Sequence, residues 1–165
     1  MCSPFSSKQE GAYMYRLKYE SPIGWLEISE TEDAVSHLIF HDIEPQFASE
    51  DTPLLKRTAQ ELSEYFHGKR KHFDLPLILN RTYFRMKVWN ELLNIPYGYT
   101  ITYGELAANI GNPKASRAVG QANHHNPISI IIPCHRVIGA DGSMTGYGGE
   151  LWRKEWLLEF ERRNR

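Results

Sequence analysis

The sequence predicts an α/β protein of the α+β type with two lobes, a small α/β lobe over residues 1–80 and a mainly helical lobe over residues 81–165. Three observations lead to this fold class. Residues 13–41 alternate apolar and polar side chains as strands do, residues 51–68 repeat apolar side chains at helical spacing, and from about residue 82 short helical patterns alternate with Gly and Pro. With 165 residues the chain is long enough to bury a sizeable core.

The first lobe is predicted to contain a β meander followed by one helix. Its strand-like segments are YMYRLKYE, GWLEIS and AVSHLIFH, and Ser21-Pro22-Ile23-Gly24 forms the turn between the first two. In the helix, Thr52 can cap the N-terminus and Pro53 suits the first turn. The Pro-containing segment FDLPLI that follows is predicted to be an extended link between the lobes.

The second lobe is predicted to carry a helix-turn-helix. After a first helix in YFRMKVWNELLNI, the segment TYGELAANI opens with Thr102 and has Glu105 three residues later, which is the pattern of a capping box. Gly111-Asn112-Pro113 ends this helix, and KASRAVGQANHH supplies the next. Short helices joined by a Gly-containing turn are typical of a DNA-binding helix-turn-helix, although an ordinary helical hairpin has the same spacing.

Two further segments complete this lobe. The run ISIII follows the helix-breaking pair Asn126-Pro127 and predicts a buried extended segment that leads to Cys134. The segment ELWRKEWLLEFERR predicts a last amphipathic helix whose apolar residues are Leu151, Trp156 and Phe160.

Composition narrows the class of protein. Hydrophobic residues make up 41% of the chain and charged residues 24%, as in ordinary globular proteins. No run is apolar for long enough to span a bilayer, and the N-terminal MCSPFSSKQEGAY lacks the apolar centre of a secretion signal. The two cysteines, Cys2 and Cys134, stand in such different contexts that they do not indicate a disulfide framework. We therefore expect a soluble, cytoplasmic protein.

The net charge of −1 hides an asymmetry between the lobes. Residues 1–80 hold 8 Lys and Arg against 13 Asp and Glu, whereas residues 81–165 hold 11 against 7. A basic second lobe is compatible with a nucleic-acid partner, but a mild excess of this kind is more often just a solvated surface.

The chemistry that the sequence suggests centres on Cys134 in the stretch IPCHRV. A thiol becomes a nucleophile when a neighbouring base or positive charge lowers the cost of its deprotonation, and His135 and Arg136 follow directly. A tight turn after Pro133 would bring His135 within one water molecule of the sulfur, and an acidic partner would fix the histidine tautomer. Taken alone, a cysteine at the end of an apolar run is more often a small buried side chain.

The wider stretch ITYGELAANIGNPKASRAVGQANHHNPISIIIPCHRVIGADGSMTGYGG resembles the O6-alkylguanine-DNA alkyltransferases, also called methylated-DNA–protein-cysteine methyltransferases. The Pro-Cys-His-Arg-Val motif of that family is intact at residues 133–137, and the resemblance extends over residues 82–161. The first lobe resembles the family only through SPIGWLEIS and its general layout. The resemblance implies an RNase H-like first lobe and a winged-helix-like second lobe.

The resemblance also implies a DNA-repair activity that each molecule performs once. In such proteins a cysteine takes the alkyl group from O6 of a guanine, and less efficiently from O4 of a thymine, after the base has been flipped out of the duplex. By this resemblance Cys134 is the acceptor, His135 polarises it through water, and Glu161 completes the triad. Two other glutamates of the last helix, Glu155 and Glu159, are rival candidates for that third position.

A DNA-binding surface is implied as well, one that contacts the minor groove largely independently of sequence. Arg117 matches the arginine that fills the gap left by the flipped base. Tyr103 matches the tyrosine that crowds the 3′ phosphate and donates a proton toward guanine N3. A solvated arginine and a packing tyrosine are the ordinary alternatives. Small residues beside Arg117 would let the helix approach DNA closely, and these are Ala115, Ser116, Ala118 and Gly120.

The remaining matches concern a hinge and the pocket for the base. Asn126 matches the asparagine that joins the DNA-binding helices to the active-site motif, although an Asn-Pro pair is also ordinary turn chemistry. Part of the family has serine where Gly148 stands, and we expect glycine to leave the loop over the guanine looser. The other residues assigned to the hinge and pocket are Pro133, Arg136, Val137, Met144, Tyr147 and Gly149.

No cofactor or metal is expected. Some relatives bind zinc in the first lobe through cysteine and histidine, but this lobe offers only Cys2 and the scattered histidines His37, His41, His67 and His72. The expected partner is double-stranded DNA that contains O6-alkylguanine. No membrane is involved, and the protein is expected to be a monomer.

Three alternative functions fit these residues less well. A lesion-binding relative without transferase activity would typically have replaced the acceptor cysteine, and Cys134 is present. A cysteine hydrolase built on Cys134, His135 and Glu161 would leave Arg117 without a role. A helix-turn-helix regulator would need base-reading side chains in its second helix, where Ala, Ser and Gly predominate.

Overall fold

The computed structural model describes residues 11–145 and 147–165, and Cys2 lies outside that range. The described residues form two compact units whose boundary falls between Asn80 and Arg81. A small sheet with one helix in the first unit and a mainly helical second unit confirm the predicted fold class. None of the helices in the described residues combines the length and hydrophobicity needed to cross a membrane.

The first unit is built on a three-stranded antiparallel meander in the order β1-β2-β3. The turn between the second and third strands consists of Glu32 and Asp33, whose φ angles of 51° and 59° suit the primed turns that match strand twist. The strands are β1 (Met14–Ser21), β2 (Gly24–Thr31) and β3 (Ala34–His41).

Helix α1 (Pro53–Phe66) packs against this sheet. Thr52 caps it as predicted, since its hydroxyl accepts a hydrogen bond from the N–H of Leu55. The segment predicted to link the lobes instead belongs to the first unit. Leu77 forms a parallel bridge with Val35 at the open edge of β3. Backbone hydrogen bonds there satisfy the N–H and C=O groups that this edge strand would otherwise leave free.

The second unit contains four helices and a two-stranded parallel sheet among the residues described. The indole N–H of the fully buried Trp89 donates to the carbonyl oxygen of Ala122 at 2.8 Å and so joins the first of these helices to the third. The elements are α2 (Tyr83–Leu92), β4 (Ile101–Thr102), α3 (Tyr103–Asn109), α4 (Ser116–His124), β5 (Val137–Ile138) and α5 (Leu151–Arg163).

Both ends of α3 are capped, and the caps set up the turn into α4. The predicted capping box is confirmed, because Thr102 and Glu105 each accept from the other's backbone N–H. At the other end Gly111 has a φ of 81°, and its N–H donates to the carbonyl of Ala108. The next N–H donates to Ala107, which completes a Schellman motif. Helices α3 and α4 pack together in the order that a helix-turn-helix requires.

The run ISIII is buried as predicted, but it is not extended. The N–H of Ile131 donates to the carbonyl of Ser129 at 2.8 Å, and the residue between them, Ile130, has a φ of 70°. This is the bond pattern of a γ-turn. Isoleucine favours strands, but burial of the four isoleucines of this run outweighs that local preference. A β-branched residue at positive φ is strained, and the strain lies just ahead of Cys134.

The buried face of α5 also differs from the predicted one. Leu151 is exposed and Trp156 is only half-buried. The fully buried positions are Lys154, Leu157 and Glu161, which share one face because they lie three and four residues apart. Two of these three side chains, Lys154 and Glu161, are charged and form hydrogen bonds in the candidate functional site. An argument from apolar periodicity alone therefore selects the wrong face.

Candidate functional site

Cys134 opens a short 3₁₀ turn, Cys134–Arg136, directly after Pro133. Pro133 has φ −81° and ψ 63°, and the N–H of Cys134 donates to the carbonyl of Ile132 at 2.8 Å, which is an inverse γ-turn. The tight turn expected after Pro133 is therefore present. It leaves Cys134 2% exposed and His135 fully buried, so the thiol lies in an apolar and largely dry environment.

Asn126 holds the chain that enters this turn. Its side-chain NH₂ donates to the carbonyl of Ile132 at 2.8 Å, and its side-chain oxygen accepts from the N–H of Ile128 at 3.0 Å. Helix α4 is tied to the same turn, because the side-chain NH₂ of the buried Asn123 donates to the carbonyl of Cys134 at 3.1 Å. Two asparagines thus fix the position of the nucleophile relative to the helix pair.

His135 is bound to Glu161 on helix α5. Its Nε2 lies 2.7 Å from Oε1 of Glu161, and both side chains are fully buried. Arg136 donates from Nε and Nη2 to the two oxygens of the same carboxylate, each at 2.9 Å, and from Nη1 to the carbonyl of Ile95 at 2.7 Å. The backbone N–H of Gly98 adds a further donor at 3.2 Å. Glu161 is therefore the carboxylate next to His135.

The two rival glutamates lie elsewhere. Glu159 is paired with Arg162 and Arg163 on the surface of α5, and Glu155 is exposed. The spacing of Glu159 to Arg162 and Arg163, three and four residues along the helix, allows these surface pairs, whereas the partners of Glu161 lie on other elements and could not be read from spacing.

Burial and neighbouring charges shift the pKa values of His135 and Glu161 in opposite directions. Burial alone would raise the pKa of Glu161, but His135 and Arg136 outweigh it and hold that pKa well below its usual range. Burial lowers the pKa of His135, against the pull of Glu161, so the imidazole is neutral near neutral pH. An ionised carboxylate only accepts, so the proton of His135 is on Nε2. Its Nδ1 is a buried acceptor without a hydrogen-bond partner among the described residues.

The thiol of Cys134 is held protonated by its surroundings. Burial raises its pKa to about 11. The Asn126 side chain, the charge of Lys154 and the backbone N–H groups of Cys134 and His135 act in the opposite sense and favour the thiolate. The site thus combines a buried thiol with hydrogen-bond donors that stabilise its anion and a nearby neutral base.

Sequence reasoning missed Lys154. Its side chain is fully buried, and its ammonium donates to the carbonyls of Val137 at 2.5 Å and Thr145 at 3.0 Å. Burial lowers the pKa of Lys154 to about 8. A signal was present, because Lys154 stands seven residues before Glu161 on the same helical face. A charged side chain on such a face needs buried polar partners.

Most residues assigned to DNA binding line one cleft of about 590 Å³. Arg117 is exposed on α4, and the hydroxyl of Tyr103 donates to the carbonyl of Thr145. Burial raises the pKa of Tyr103 to about 12, so its hydroxyl is a proton-bearing donor. Ala115, the N-cap residue of α4, and Ala118 on the helix stand on either side of Arg117 in the chain but do not line the cleft. The lining residues are Tyr103, Ser116, Arg117, Gly120, Gln121, His124, His125 and Thr145.

The loop assigned to the guanine pocket lies against the end of α4. A Cβ atom added at Gly148 would stand 2.5 Å from the backbone carbonyl oxygen of His124, which is far below a van der Waals contact. Glycine therefore permits a close approach of the loop to the end of α4. Tyr147 is buried and its hydroxyl has no hydrogen-bond partner among the described residues, while Gly149 is half-buried.

The other pocket candidates divide between two places. Pro133 and Val137 are buried on either side of the 3₁₀ turn. Met144 lines a second cleft of about 450 Å³, which also includes Ile138 and Leu158. Within residues 11–145 and 147–165 no three His, Cys, Asp or Glu side chains cluster closely enough to hold a metal ion.

Comparison with known families matches both units. Residues 14–79 match the family described as 6-O-methylguanine DNA methyltransferase, ribonuclease-like domain. Residues 83–163 match 6-O-methylguanine DNA methyltransferase, DNA binding domain.

Individual proteins are similar along almost the whole chain. A Methanosarcina acetivorans protein named methylated-DNA–protein-cysteine methyltransferase is 48% identical over 153 residues, which cover 90% of this chain and 98% of its own. A Bacillus subtilis protein named methylated-DNA–protein-cysteine methyltransferase, constitutive, is 43% identical, with 90% and 95% covered.

Solved structures are similar as well. That of the Mycobacterium tuberculosis O6-methylguanine methyltransferase has a TM-score of 0.82 at 42% identity and covers 93% of this chain and 95% of its own. The M. tuberculosis protein in complex with DNA has a TM-score of 0.83 at 44% identity, with 91% and 94% covered.

Proposed function

The chain belongs to the 6-O-methylguanine DNA methyltransferase family, and from that premise we propose that it repairs DNA by moving the alkyl group of O6-alkylguanine onto Cys134. One observation carries this assignment to particular residues. The buried thiol of Cys134 is followed by His135, whose Nε2 proton is held by Glu161 and whose Nδ1 has no partner among the described residues. A neutral imidazole with a free acceptor is the group needed to deprotonate a thiol.

In the proposed step the sulfur of Cys134 attacks the alkyl carbon in line with the bond to O6. The S–C bond forms with an electron pair of sulfur, and the C–O6 bond breaks with its pair left on the guanine. The thiol proton passes through a bridging water to Nδ1 of His135, and the Tyr103 hydroxyl gives its proton to N3 of the guanine. The tyrosinate then regains a proton from the His135 imidazolium through solvent, so the net change is one proton moved from sulfur to guanine, without an oxidant or a reductant.

We propose that the base is flipped out of the duplex before it reacts, because O6 and its alkyl group are inaccessible inside the stack. The cleft beside Tyr103 supports this, since Arg117 is exposed at its edge and is long enough to fill the gap in the stack. Gly120 faces the Tyr103 ring, where an added Cβ would come within 4.0 Å. Small residues on α4 would let this helix enter the minor groove closely and without base-specific contacts.

Single use follows from the product. S-alkylcysteine is a thioether, and water does not displace its alkyl group at a useful rate. The acceptor must also remain a free thiol until it meets a lesion, which suits the reducing cytoplasm, and we place the protein there on that ground. O4-alkylthymine is proposed as a poorer substrate of the same site.

The test is a titration of the protein with duplex DNA that carries one radiolabelled O6-methylguanine. We expect label on the protein, at most one methyl group per chain, and none on Cys134→Ser, which should still bind the duplex. Binding without transfer by the unaltered protein would identify a lesion-binding module instead. Transfer that continues beyond one equivalent would identify a turnover enzyme such as a hydrolase.

A further inference from the structure

Lys154 is a buried charge for which the proposed reaction has no role so far. Its side chain is fully buried, and within the described part of the chain no carboxylate pairs with it. Its hydrogen bonds go to two backbone carbonyls. A buried ammonium without a counter-ion is costly, and an apolar side chain of the same length would avoid that cost. Its presence calls for a function in the site.

The two carbonyls connect both sides of the candidate site. Val137 belongs to β5, which starts directly after the 3₁₀ turn that carries Cys134. Thr145 is the residue whose carbonyl also accepts from the Tyr103 hydroxyl. The Lys154 ammonium lies 5.7 Å from the centre of the Tyr103 ring. One side chain thus joins the strand after the nucleophile to the acceptor that holds Tyr103.

The titratable groups that this ammonium faces belong to the turn and to α3. On the turn, its charge favours the thiolate of Cys134 and disfavours protonation of His135. On α3, the Tyr103 hydroxyl is protonated and neutral over the working range. A positive charge near a thiolate stabilises it, and more so where burial lowers the local dielectric.

We infer that Lys154 is a positioning residue for alkyl transfer, whose ammonium holds the Thr145 carbonyl in place for Tyr103 and supplies the positive charge that stabilises the thiolate of Cys134. The inference rests on the proposed function. It also assigns a role to the hydrogen bond between Tyr103 and Thr145. When the hydroxyl turns from Thr145 toward the guanine, the carbonyl keeps its bond to Lys154.

The test compares three replacements of this lysine. Lys154→Met removes both charge and donors, Lys154→Gln keeps donors without charge, and Lys154→Arg keeps both. Thermal unfolding first establishes that each variant is folded, and Lys154→Gln carries the test if Lys154→Met is not. Lys56→Met, at an exposed side chain in the first unit, controls for the loss of one positive charge.

The first readout needs no DNA. The rate at which iodoacetamide alkylates Cys134 is measured against pH. Near neutral pH, where the ammonium is still charged, we expect Lys154→Met and Lys154→Gln to react about tenfold more slowly, because the thiolate has lost its charge partner. The difference should fade as the pH rises through about 8, where Lys154 itself loses its proton, and Lys154→Arg should react at the wild-type rate near neutral pH. A wild-type rate for Lys154→Gln near neutral pH would overturn the inference, and so would an equal loss in Lys154→Arg.

The second readout is methyl transfer from the lesion duplex. Lys154→Gln should lower the rate constant at saturating duplex by a larger factor than it raises the half-saturating concentration, since Lys154 does not itself line the cleft and acts there only through Thr145 and Tyr103. An effect on half-saturation alone would contradict the positioning role. Methyl transfer by the unaltered protein distinguishes a failure of the proposed function from a failure of the role inferred for Lys154. If the unaltered protein transfers no methyl group, the proposed function fails, whereas normal transfer by Lys154→Gln rejects only the role of the lysine.

Discussion

Nε2 of His135 lies 2.7 Å from Oε1 of Glu161, with both side chains fully buried, and the guanidinium of Arg136 binds the same carboxylate. Two consecutive residues of the turn thus share one acceptor on α5. Hydrogen bonds from the Arg136 guanidinium help to hold the pKa of Glu161 low, so the bond to His135 does not require an imidazolium. This relationship explains how a buried imidazole stays neutral and oriented as a proton acceptor.

Acid should destabilise the protein through this pair. The pKa of Glu161 is held well below its ordinary value of 4.5, so at low pH the unfolded chain binds a proton that the folded protein does not. The stabilisation is therefore complete above about pH 4.5 and is lost as pH falls further, by about 1.4 kcal/mol per pH unit for one proton. The measurement is urea unfolding from pH 6 downward. Glu161→Gln should be destabilised by about 3–5 kcal/mol at pH 6, since it leaves Arg136 buried without its counter-ion.

The control for that experiment is Glu155→Gln, which alters an exposed glutamate of the same helix. It should unfold nearly as the unaltered protein does at pH 6, and Glu161→Gln should show a shallower decline with acid. Equal declines in all three proteins would show that other carboxylates control acid unfolding.

Arg117→Ala should separate base flipping from chemistry. We expect methyl transfer from duplex DNA to slow by at least about tenfold, because nothing fills the stack where the base has left, at an unstacking cost of a few kcal/mol. Transfer from the free base O6-benzylguanine needs no flipping and should be unchanged. Both rates are measured on one preparation. A similar loss on both substrates would make Arg117 a pocket or structural residue.

Gly148→Ser should damage the loop against α4. The added Cβ would meet the carbonyl oxygen of His124 at 2.5 Å, so either the loop or the helix end must move. We expect a lower melting temperature, equivalent to about 1–3 kcal/mol, and slower methyl transfer. The matched control is Gly104→Ala, where the nearest atom is 3.8 Å from the new Cβ. That variant should melt at or above the unaltered protein, and a Gly148→Ser protein that does the same would show that the loop yields freely.

Methylated protein should melt at a lower temperature than the free form. Cys134 is 2% exposed and follows a buried, strained run of isoleucines, so an extra methyl group overfills a closed space. Overpacking of this kind costs about 1–3 kcal/mol. Differential scanning calorimetry before and after reaction with one equivalent of lesion duplex measures the shift. An unchanged or raised melting temperature would indicate that the site has room for the methyl group.

Local sequence signals predicted most of the fold. Thr52 and the Thr102–Glu105 pair marked helix starts correctly, because caps depend on neighbouring backbone groups only. The run ISIII was predicted to be extended because isoleucine favours strands, yet it folds into a turn. Its conformation is imposed by what surrounds it, including the two bonds from Asn126. Such contacts are not encoded in a local pattern.

The candidate site likewise contains residues that a local pattern predicted and residues that it did not predict. The reactive pair Cys134 and His135 was recognisable from a contiguous motif. The choice of Glu161 among three glutamates rested on resemblance, and Lys154 was missed altogether. Both belong to α5 and both are defined by partners far away in the chain. A periodicity argument places apolar residues in the core and charged residues on the surface, so it fails for a helix that buries charged side chains.

The position of Glu161, 26 residues after His135, has a consequence for how the protein is made. Translation delivers the thiol and the imidazole first and the carboxylate only near the end of α5. Until that helix has left the ribosome, no carboxylate binds His135, and Lys154 is missing as well. A polypeptide that ends before α5 therefore holds Cys134 and His135 without the carboxylate that binds the histidine in the complete fold. The arrangement around Cys134 is complete only when α5 has been made and has packed against the turn.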